Sequence, residues 1–272
     1  MDWSHAIAGF GVGMLVGLTG VGGGSLMAPI LIWLNTSPLV AVGTDLWFAC
    51  ITKAFGGAIH HRQGGVDKQV LGRLLMGSLP AAVLTLYVLH HLGVKQIKDG
   101  VIIHMLGAVL ILTSVATLFR QKFVAWSLNY QREAGHDALN IQAPLTIVAG
   151  IILGTLVTLT SVGAGALGVT MILCLYPLRM SANRLVATDI VHAVPLTLVA
   201  GIGYALMGKM IAPVPGHIAI GNVDITLLWH LLIGSIPGIA IGSLLTKRVP
   251  DVALRIVLAI VLGLVGILMV TK

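Results

Sequence analysis

Three charged residues of this chain stand inside apolar runs. Asp45 and Lys53 lie in "LVAVGTDLWFACITKAFGG" (39–57), and Asp189 lies in "LVATDIVHAVPLTLVAG" (185–201). Charges at membrane depth are expensive, and by default they mark ion or substrate pathways. A lysine ammonium there can hold an anion. A carboxyl taken out of water can take up and release protons. Asp45, Ala49, Thr52, Lys53 and Gly56 follow helical spacing along one stripe. Asp45 and Lys53 are eight residues apart, about 12 Å along a regular helix, so they do not pair directly and each needs another partner. Two readings of Lys53 stand side by side: contact with a substrate, or a structural counter-charge for Asp45 or Asp189. Snorkelling to the interface is a third. Asp45 and Asp189 each follow a threonine, Thr44 and Thr188, in the pair "TD". They can serve substrate or protons, or they can cap and pin neighbouring backbone. His192, one turn beyond Asp189, is either part of the same site or a satisfied interior histidine.

The elements that must carry these residues are membrane helices. Of 272 residues, 57% are hydrophobic and only 9% are charged, against about 25% charged in soluble domains. Apolar segments run over 5–34, 40–60, 74–90, 100–119, 143–178, 184–207, 225–246 and 252–270. The chain is read as an all-α polytopic membrane protein embedded in the lipid bilayer. Its net charge of +7 is dispersed through short connections, which points to membrane orientation and not to nucleic acid. Cys50 and Cys174 sit in separate apolar runs and make no disulfide framework.

The two halves repeat each other. "LVGLTGVGGGSL" (15–26) matches "LVTLTSVGAGAL" (156–167). In the same order, "VGTD" (42–45) matches "VATD" (186–189), "GGVD" (64–67) matches "GNVD" (221–224), and "LMGSLP" (75–80) matches "LIGSIP" (232–237). The halves are 1–119 and 143–272, joined by the polar stretch 120–142, read as a cytoplasmic linker. In this alignment Lys53 falls opposite Thr197, so only one half supplies the cation.

Both glycine-rich motifs interrupt apolar segments. From His5 to Leu34 there are 30 residues, too many for one span and too few for two. Suppose each broken segment turns back near the midplane. The connections around 60–73, 120–142, 177–184 and 246–255 then share one side and carry 11 lysines and arginines, against 4 on the other side. If each crosses once, the asymmetry vanishes. Positive residues favour the cytoplasm. Each half is therefore expected to be a re-entrant hairpin of broken helix plus three transmembrane helices. The two repeats are inverted in topology, and both termini lie outside.

Broken helices survive at membrane depth only inside protein or along a wet cavity. The returning half-helices, starting near Ser25 and Ala166, would present amide groups and positive dipole ends. Gly22, Gly23 and Gly24 allow close approach to the backbone beside Ser25, as Gly163 and Gly165 do beside Ala164 and Ala166. Two such ends form a site for a small anion. The competing reading is that the glycines serve close helix packing. Asp67 and Asp224 read as helix caps, and Pro80 and Pro237 as kinks in matched spans. The histidine pairs at 60–61 and 90–91 have no carboxylate or thiolate cluster beside them, so no metal is expected. No cofactor motif and no catalytic constellation of an enzyme occurs. A homodimer is compatible with the sequence.

"GLTGVGGGSLMAPIL", "VAVGTDLWFACITKAFGGAIHHRQGGVD" and "LVATDIVHAVPLTLVAGIGYALMGKM" with "GNVD" resemble the TauE/SafE (TSUP) sulfite exporter family over nearly the whole chain. Many members carry "GTS" where this chain has "GTD" at 43–45, so it resembles an Asp- and Lys-bearing subgroup. The resemblance implies a multi-pass permease of the cytoplasmic (inner) membrane. It would export sulfite or a small organosulfonate such as sulfoacetate, binding the anion around Gly22–Ser25 and Gly163–Ala166. A permease for thiosulfate or an organic acid, or an anion channel, is the alternative. Moving one negative charge outward gains about 2.3 kcal/mol per 100 mV, so export needs no coupled ion, whereas import does.

Overall fold

The computed structural model describes residues 3–19, 26–91, 99–163, 165–207, 217–245 and 251–271. Two short helices, α1 (Trp3–Thr19) and α2 (Met27–Trp33), flank the first glycine break. Three longer helices follow: α3 (Pro38–Gly64), α4 (Lys68–His91) and α5 (Asp99–Leu118). The second half repeats the order with α6 (Arg120–Thr160), α7 (Ala166–Leu175), α8 (Ala182–Leu206), α9 (Ile225–Leu245) and α10 (Asp251–Val270). A two-residue-per-strand ribbon, β1 (Ala219–Ile220) and β2 (Val223–Asp224), stands before α9. Seven of the described helical stretches are long and apolar enough to cross a bilayer: α3, α4, α5, the 141–160 part of α6, α8, α9 and α10. The protein is thus a polytopic membrane protein, as its composition implies.

One connection is itself helical. The polar stretch 120–142, read as a linker, is part of a longer element. It is the first half of α6, a single helix of 41 residues and about 60 Å. The residues explain it. Its run of Arg, Gln, Lys, Ala, Leu and Glu holds only one glycine and no proline before Pro144. Such residues lose little freedom in a helix, and helix needs no apolar face to persist once its C-terminal half is anchored in packing.

Local chemistry sets the element ends. Pro38 opens α3, where its missing amide costs nothing. The Asp67 carboxylate caps α4 by accepting from the Gln69 and Val70 amides at 3.1 and 3.2 Å. Asp224 caps α9 by accepting from Leu227 at 2.9 Å. Both caps fall where the repeat predicts them. α6 stops at Ser161, in the left-handed conformation at φ 58°, and Gly163 and Gly165 follow at φ 116° and 138°. Only glycine takes the latter two angles without strain, so the second motif is a backbone requirement as well as a pattern.

Packing between helices is close and directional. Gly9, Gly13 and Gly17 of α1 lie against Leu231, Ser235 and Ile239 of α9 in ascending order, so the two helices run parallel. A Cβ on Gly13 would sit 2.5 Å from the Ser235 carbonyl oxygen. Small residues spaced by four let the backbones meet, as in membrane helix pairs generally. α4 and α6 also run parallel, with Gly150 against Leu74 and Gly154 against Ser78. By contrast, two helix pairs at corresponding places in the two halves, α3 with α8 and α5 with α10, run antiparallel. Gly201 of α8 meets Trp47 of α3, while Val194 accepts from Cys50. Gly107 of α5 meets Gly266 of α10, while Ser114 donates to Ala259 at 2.7 Å. A core of buried aliphatic side chains from α2, α3, α5, α8, α9 and α10 fills the space between them.

Candidate functional site

The helix pair α3 and α8 carries the charged residues. Asp45 is on the second turn of α3 and Lys53 two turns further; Asp189 and His192 are on α8. All four are buried, at 0%, 4%, 1% and 1% exposure. Because α3 and α8 are antiparallel, Lys53 points at the level of Asp189 and His192, while Asp45 lies toward the other end. Lys53 lies within electrostatic range of Asp189, Asp45 and His192. The sequence expectation that Asp45 and Lys53 do not pair directly is consistent with this: among the described residues neither carboxylate forms a salt bridge with Lys53.

The half-helices meet these carboxylates. The Ala28 amide, in the first turn of α2, donates to Asp45 Oδ2 at 3.2 Å. Ser161, at the end of α6, is turned toward the same carboxyl without completing a hydrogen bond. In the second half, Asp189 Oδ1 rests directly on the Cα of Gly168, in the first turn of α7; a Cβ there would overlap it. A helix start leaves its first amides without intrahelical partners. In α7 the Gly168 amide turns back to the Gly163 carbonyl at 3.0 Å, and Asp189 lies against the same turn. Each positive helix start expected to face an anion is therefore already approached by a carboxylate of the chain itself.

Several buried polar atoms have no hydrogen-bond partner among the described residues: both Asp189 oxygens, Asp45 Oδ1, the Thr158 and Ser161 hydroxyls and His192 Nδ1. Buried polar groups are normally paired, so these atoms are exceptions. The other nitrogen of His192, Nε2, is 2.9 Å from the Ser78 hydroxyl of α4.

The expected site residues separate into groups. Asp45, Lys53, Asp189 and His192 are buried in the α3–α8 layer, and Gly168, in the same first turn of α7 as Gly165 and Ala166 and bonded back to Gly163, meets Asp189. Thr44 and Thr188 serve elsewhere. The Asp224 amide donates to the Thr44 hydroxyl at 3.0 Å, and the Asp67 amide donates to Thr188 at 3.1 Å. Gly22, Gly23, Gly24, Ser25 and Ala164 lie outside the described residues. Ser161, Ser78 and Gly168 lie against Asp45, His192 and Asp189 respectively, although sequence reasoning passed over them. Ser161 stands inside the quoted "TLTSVGAGAL" and Ser78 inside the repeated "GS" of "LMGSLP", so the repeat did carry a signal for both.

Two aspartates close the ends of the helix bundle. Asp67, at the start of α4, accepts from Arg179 Nε at 3.0 Å and Nη2 at 3.2 Å, and Arg184 Nη2 lies 3.7 Å away. Its repeat counterpart Asp224 is 2.6 Å from His217 Nδ1.

The family model described as "Sulfite exporter TauE/SafE" matches residues 5–269. This chain belongs to the TauE/SafE family. It is also 38% identical over 229 residues to the "Probable membrane transporter protein YjnA" of Bacillus subtilis (strain 168), covering 84% of this chain and 89% of that one. No solved structure matches it. The family and this relative support a membrane transporter.

Proposed function

We propose that this protein is a secondary transporter that exports sulfite, or a small organosulfonate such as sulfoacetate, across the cytoplasmic membrane by alternating access. The observation that supports the reading is the buried Lys53 of α3, which shares a helix with the buried Asp45 and packs in the α3–α8 layer that holds the buried Asp189. An arriving oxyanion competes with the two carboxylates for that single cation. Its oxygens lodge against the start of α7 at Gly163, Ala164, Gly165 and Ala166, and the repeat assigns Gly22, Gly23, Gly24 and Ser25 the matching role. His192, held by Ser78, faces the same space. Thr44 and Thr188 tie the halves together beside it.

Inverted repeats give the carrier its two faces. The antiparallel packing of α3 on α8 and of α5 on α10 supports this reading. A two-fold axis in the membrane plane reverses the direction of each repeated helix, whereas a parallel repeat does not. The same argument supports broken helices that turn back, the stretch 120–142 on the cytoplasmic side, and both termini outside. The caps Asp67 and Asp224 then stand at opposite membrane faces, with Arg179 and His217 as their respective closing partners.

The test is calorimetric binding of sulfite, sulfoacetate, thiosulfate and sulfate to the purified protein. Saturable binding of sulfite or sulfoacetate, lost in Lys53→Met, is expected. Binding of none of the four ends this reading. Preference for thiosulfate keeps the carrier and changes its substrate.

A further inference from the structure

The polar first half of α6 carries an exposed aromatic face. Helical hydrogen bonds run across the joint between α5 and α6. The Phe119 amide donates to the Val115 carbonyl, and the Phe123 amide to the Phe119 carbonyl, each at 3.0 Å. Exposed Leu112 and Val115 of α5 are therefore continued by exposed Phe119, Phe123, Trp126 and Tyr130, at spacings of three and four residues along one stripe. α5 is long and apolar enough to cross the bilayer, where exposed aliphatic side chains have lipid as their solvent. Past its end the stripe turns aromatic. Trp126 is 71% exposed and Tyr130 49%, and their rings stack with centroids 6.1 Å apart.

The neighbouring face of the same helix is held against α7. Ser127, itself buried, donates to the Cys174 carbonyl, and Gln131 Nε2 donates to that of Leu175 at 3.0 Å. These are the last carbonyls of α7, which have no partner within their own helix. Thr146, in the span that follows, bonds to the Tyr176 hydroxyl at 2.7 Å. A straight helix would set Ser127 and Thr146 about 28 Å apart, yet both meet the same end of α7. α6 therefore bends, with Pro144 between the two contacts. The bend keeps residues 119–131 at the level where α5 ends and the 141–160 span begins, instead of carrying them away from the membrane.

Tryptophan and tyrosine at that level present a ring to acyl chains and an N–H or O–H to headgroups. The charges beside them are of one sign. From Phe119 to Gln131 the chain has Arg120 and Lys122 and no acidic residue. Lys122 Nζ stands 5.4 Å from the Phe119 ring centroid, so its charge is at the stripe. At the same end of α7, Arg73 donates to the Tyr176 hydroxyl at 3.0 Å, and the Arg179 guanidinium lies 5.6 Å from the Tyr176 ring centroid. A second copy of this chain would set these positive charges against their own kind, whereas an anionic lipid surface complements them. We propose that residues 119–131 form an interfacial helix that binds anionic phospholipid, with the aromatic stripe at the boundary of acyl chains and headgroups and Lys122 against the headgroups. The same helix anchors α7: Ser127 and Gln131 hold the end of the short helix whose first turn meets Asp189.

The experiment follows Trp126 in the full-length protein in mixed micelles, as the difference in emission between the unaltered protein and Trp126→Phe. Phosphatidylglycerol and phosphatidylcholine, each brominated on the acyl chains near the headgroup, are titrated separately. Trp126 emission should be quenched by both, and at a lower mole fraction by phosphatidylglycerol. Lys122→Gln, at an exposed position, should weaken the phosphatidylglycerol curve about fivefold, the share of one lysine near an anionic surface, and leave the phosphatidylcholine curve in place. Trp126 emission untouched by either lipid overturns the proposal, since the stripe then faces water or protein. Coincident curves for the two lipids overturn it as well, because the headgroup charge is then not read. Disulfide-linked dimers of Trp126→Cys in membranes, together with unquenched emission, assign the face to a second copy of the chain and overturn the lipid assignment. None of these outcomes involves transport, so failure here leaves the carrier reading standing.

Discussion

The Asp67 amide, at the start of α4, donates to the Thr188 hydroxyl of α8 at 3.1 Å, across 121 residues of sequence. The repeat-related pair does the reverse: the Asp224 amide donates to Thr44 of α3 at 3.0 Å. Each half thus lends its "TD" threonine to the helix cap of the other. Thr188→Val leaves a buried amide unpaired and should lower stability by about 1–3 kcal/mol. Thr44→Val should cost a similar amount, and the double variant should be nearly additive, since the two bonds share no residue. Thermal unfolding in detergent measures this; an unchanged midpoint in both single variants removes the bonds from the stability of the fold.

Lys53→Met keeps most of the side-chain volume and removes the charge. It removes the buried cation of the layer that holds Asp45 and Asp189, so stability should drop, by no more than the about 3–5 kcal/mol of a directly broken buried pair. Adding Asp189→Asn should restore part of the loss. Chemical unfolding of the single and double variants tests the coupling. No rescue means that Lys53 is compensated elsewhere.

Gly168→Ala should disable transport more than it harms the fold. The new Cβ overlaps Asp189 Oδ1, and the carboxylate must swing away from the first turn of α7. Overpacking of this kind costs about 1–3 kcal/mol. Comparing flux in liposomes with the unfolding midpoint distinguishes the two effects. Full flux would show that Asp189 need not lie on this turn.

Gly13 and Gly11 make a matched pair on α1. Gly13→Ala puts a Cβ within 2.5 Å of the Ser235 carbonyl and 2.7 Å of its Cα, so α1 and α9 must separate. A loss of about 1–3 kcal/mol is expected. Gly11 has nothing within 4 Å of its Cβ position, and Gly11→Ala should gain about 0.5–1 kcal/mol from reduced chain entropy. Equal effects at both positions would deny that contact, and not helix propensity, decides the outcome.

Topology has a direct test. Single cysteines added at the two termini should react with an impermeant thiol reagent applied to intact cells, and a cysteine placed at Gln121 should react only after the membrane is opened. Labelling of the termini from the cytoplasmic side alone would refute inverted repeats with both ends outside.

Much of this protein was written in its residue order because lipid is an unforgiving solvent. A charge among apolar residues costs so much that Asp45, Lys53 and Asp189 stand out without any structure. A helix break at membrane depth is equally conspicuous, and its second copy, with the ordered repeats, sets the element order of both halves. Asp67 and Asp224 were legible as caps because capping is local, acting within three residues. The stretch 120–142 was legible as a polar linker but not as a helix. Polarity reports where a segment sits, not whether it is helical, and only the continuous backbone of α6 joins it to the following span.

What the tertiary structure alone decided are the relations between distant residues. The sequence named both carboxylates but not their levels; the antiparallel docking of α3 on α8 brings Lys53 to the level of Asp189 and His192 and leaves Asp45 toward the other end. It marked Thr44 and Thr188 as candidates for substrate, and packing turns their hydroxyls to the opposite half. It pointed to two positive helix starts, and packing brings Asp45 and Asp189 onto them. Solvation acts on each residue singly and is legible along the chain. Charge pairing depends on distances through space, which exist only once the helices are packed.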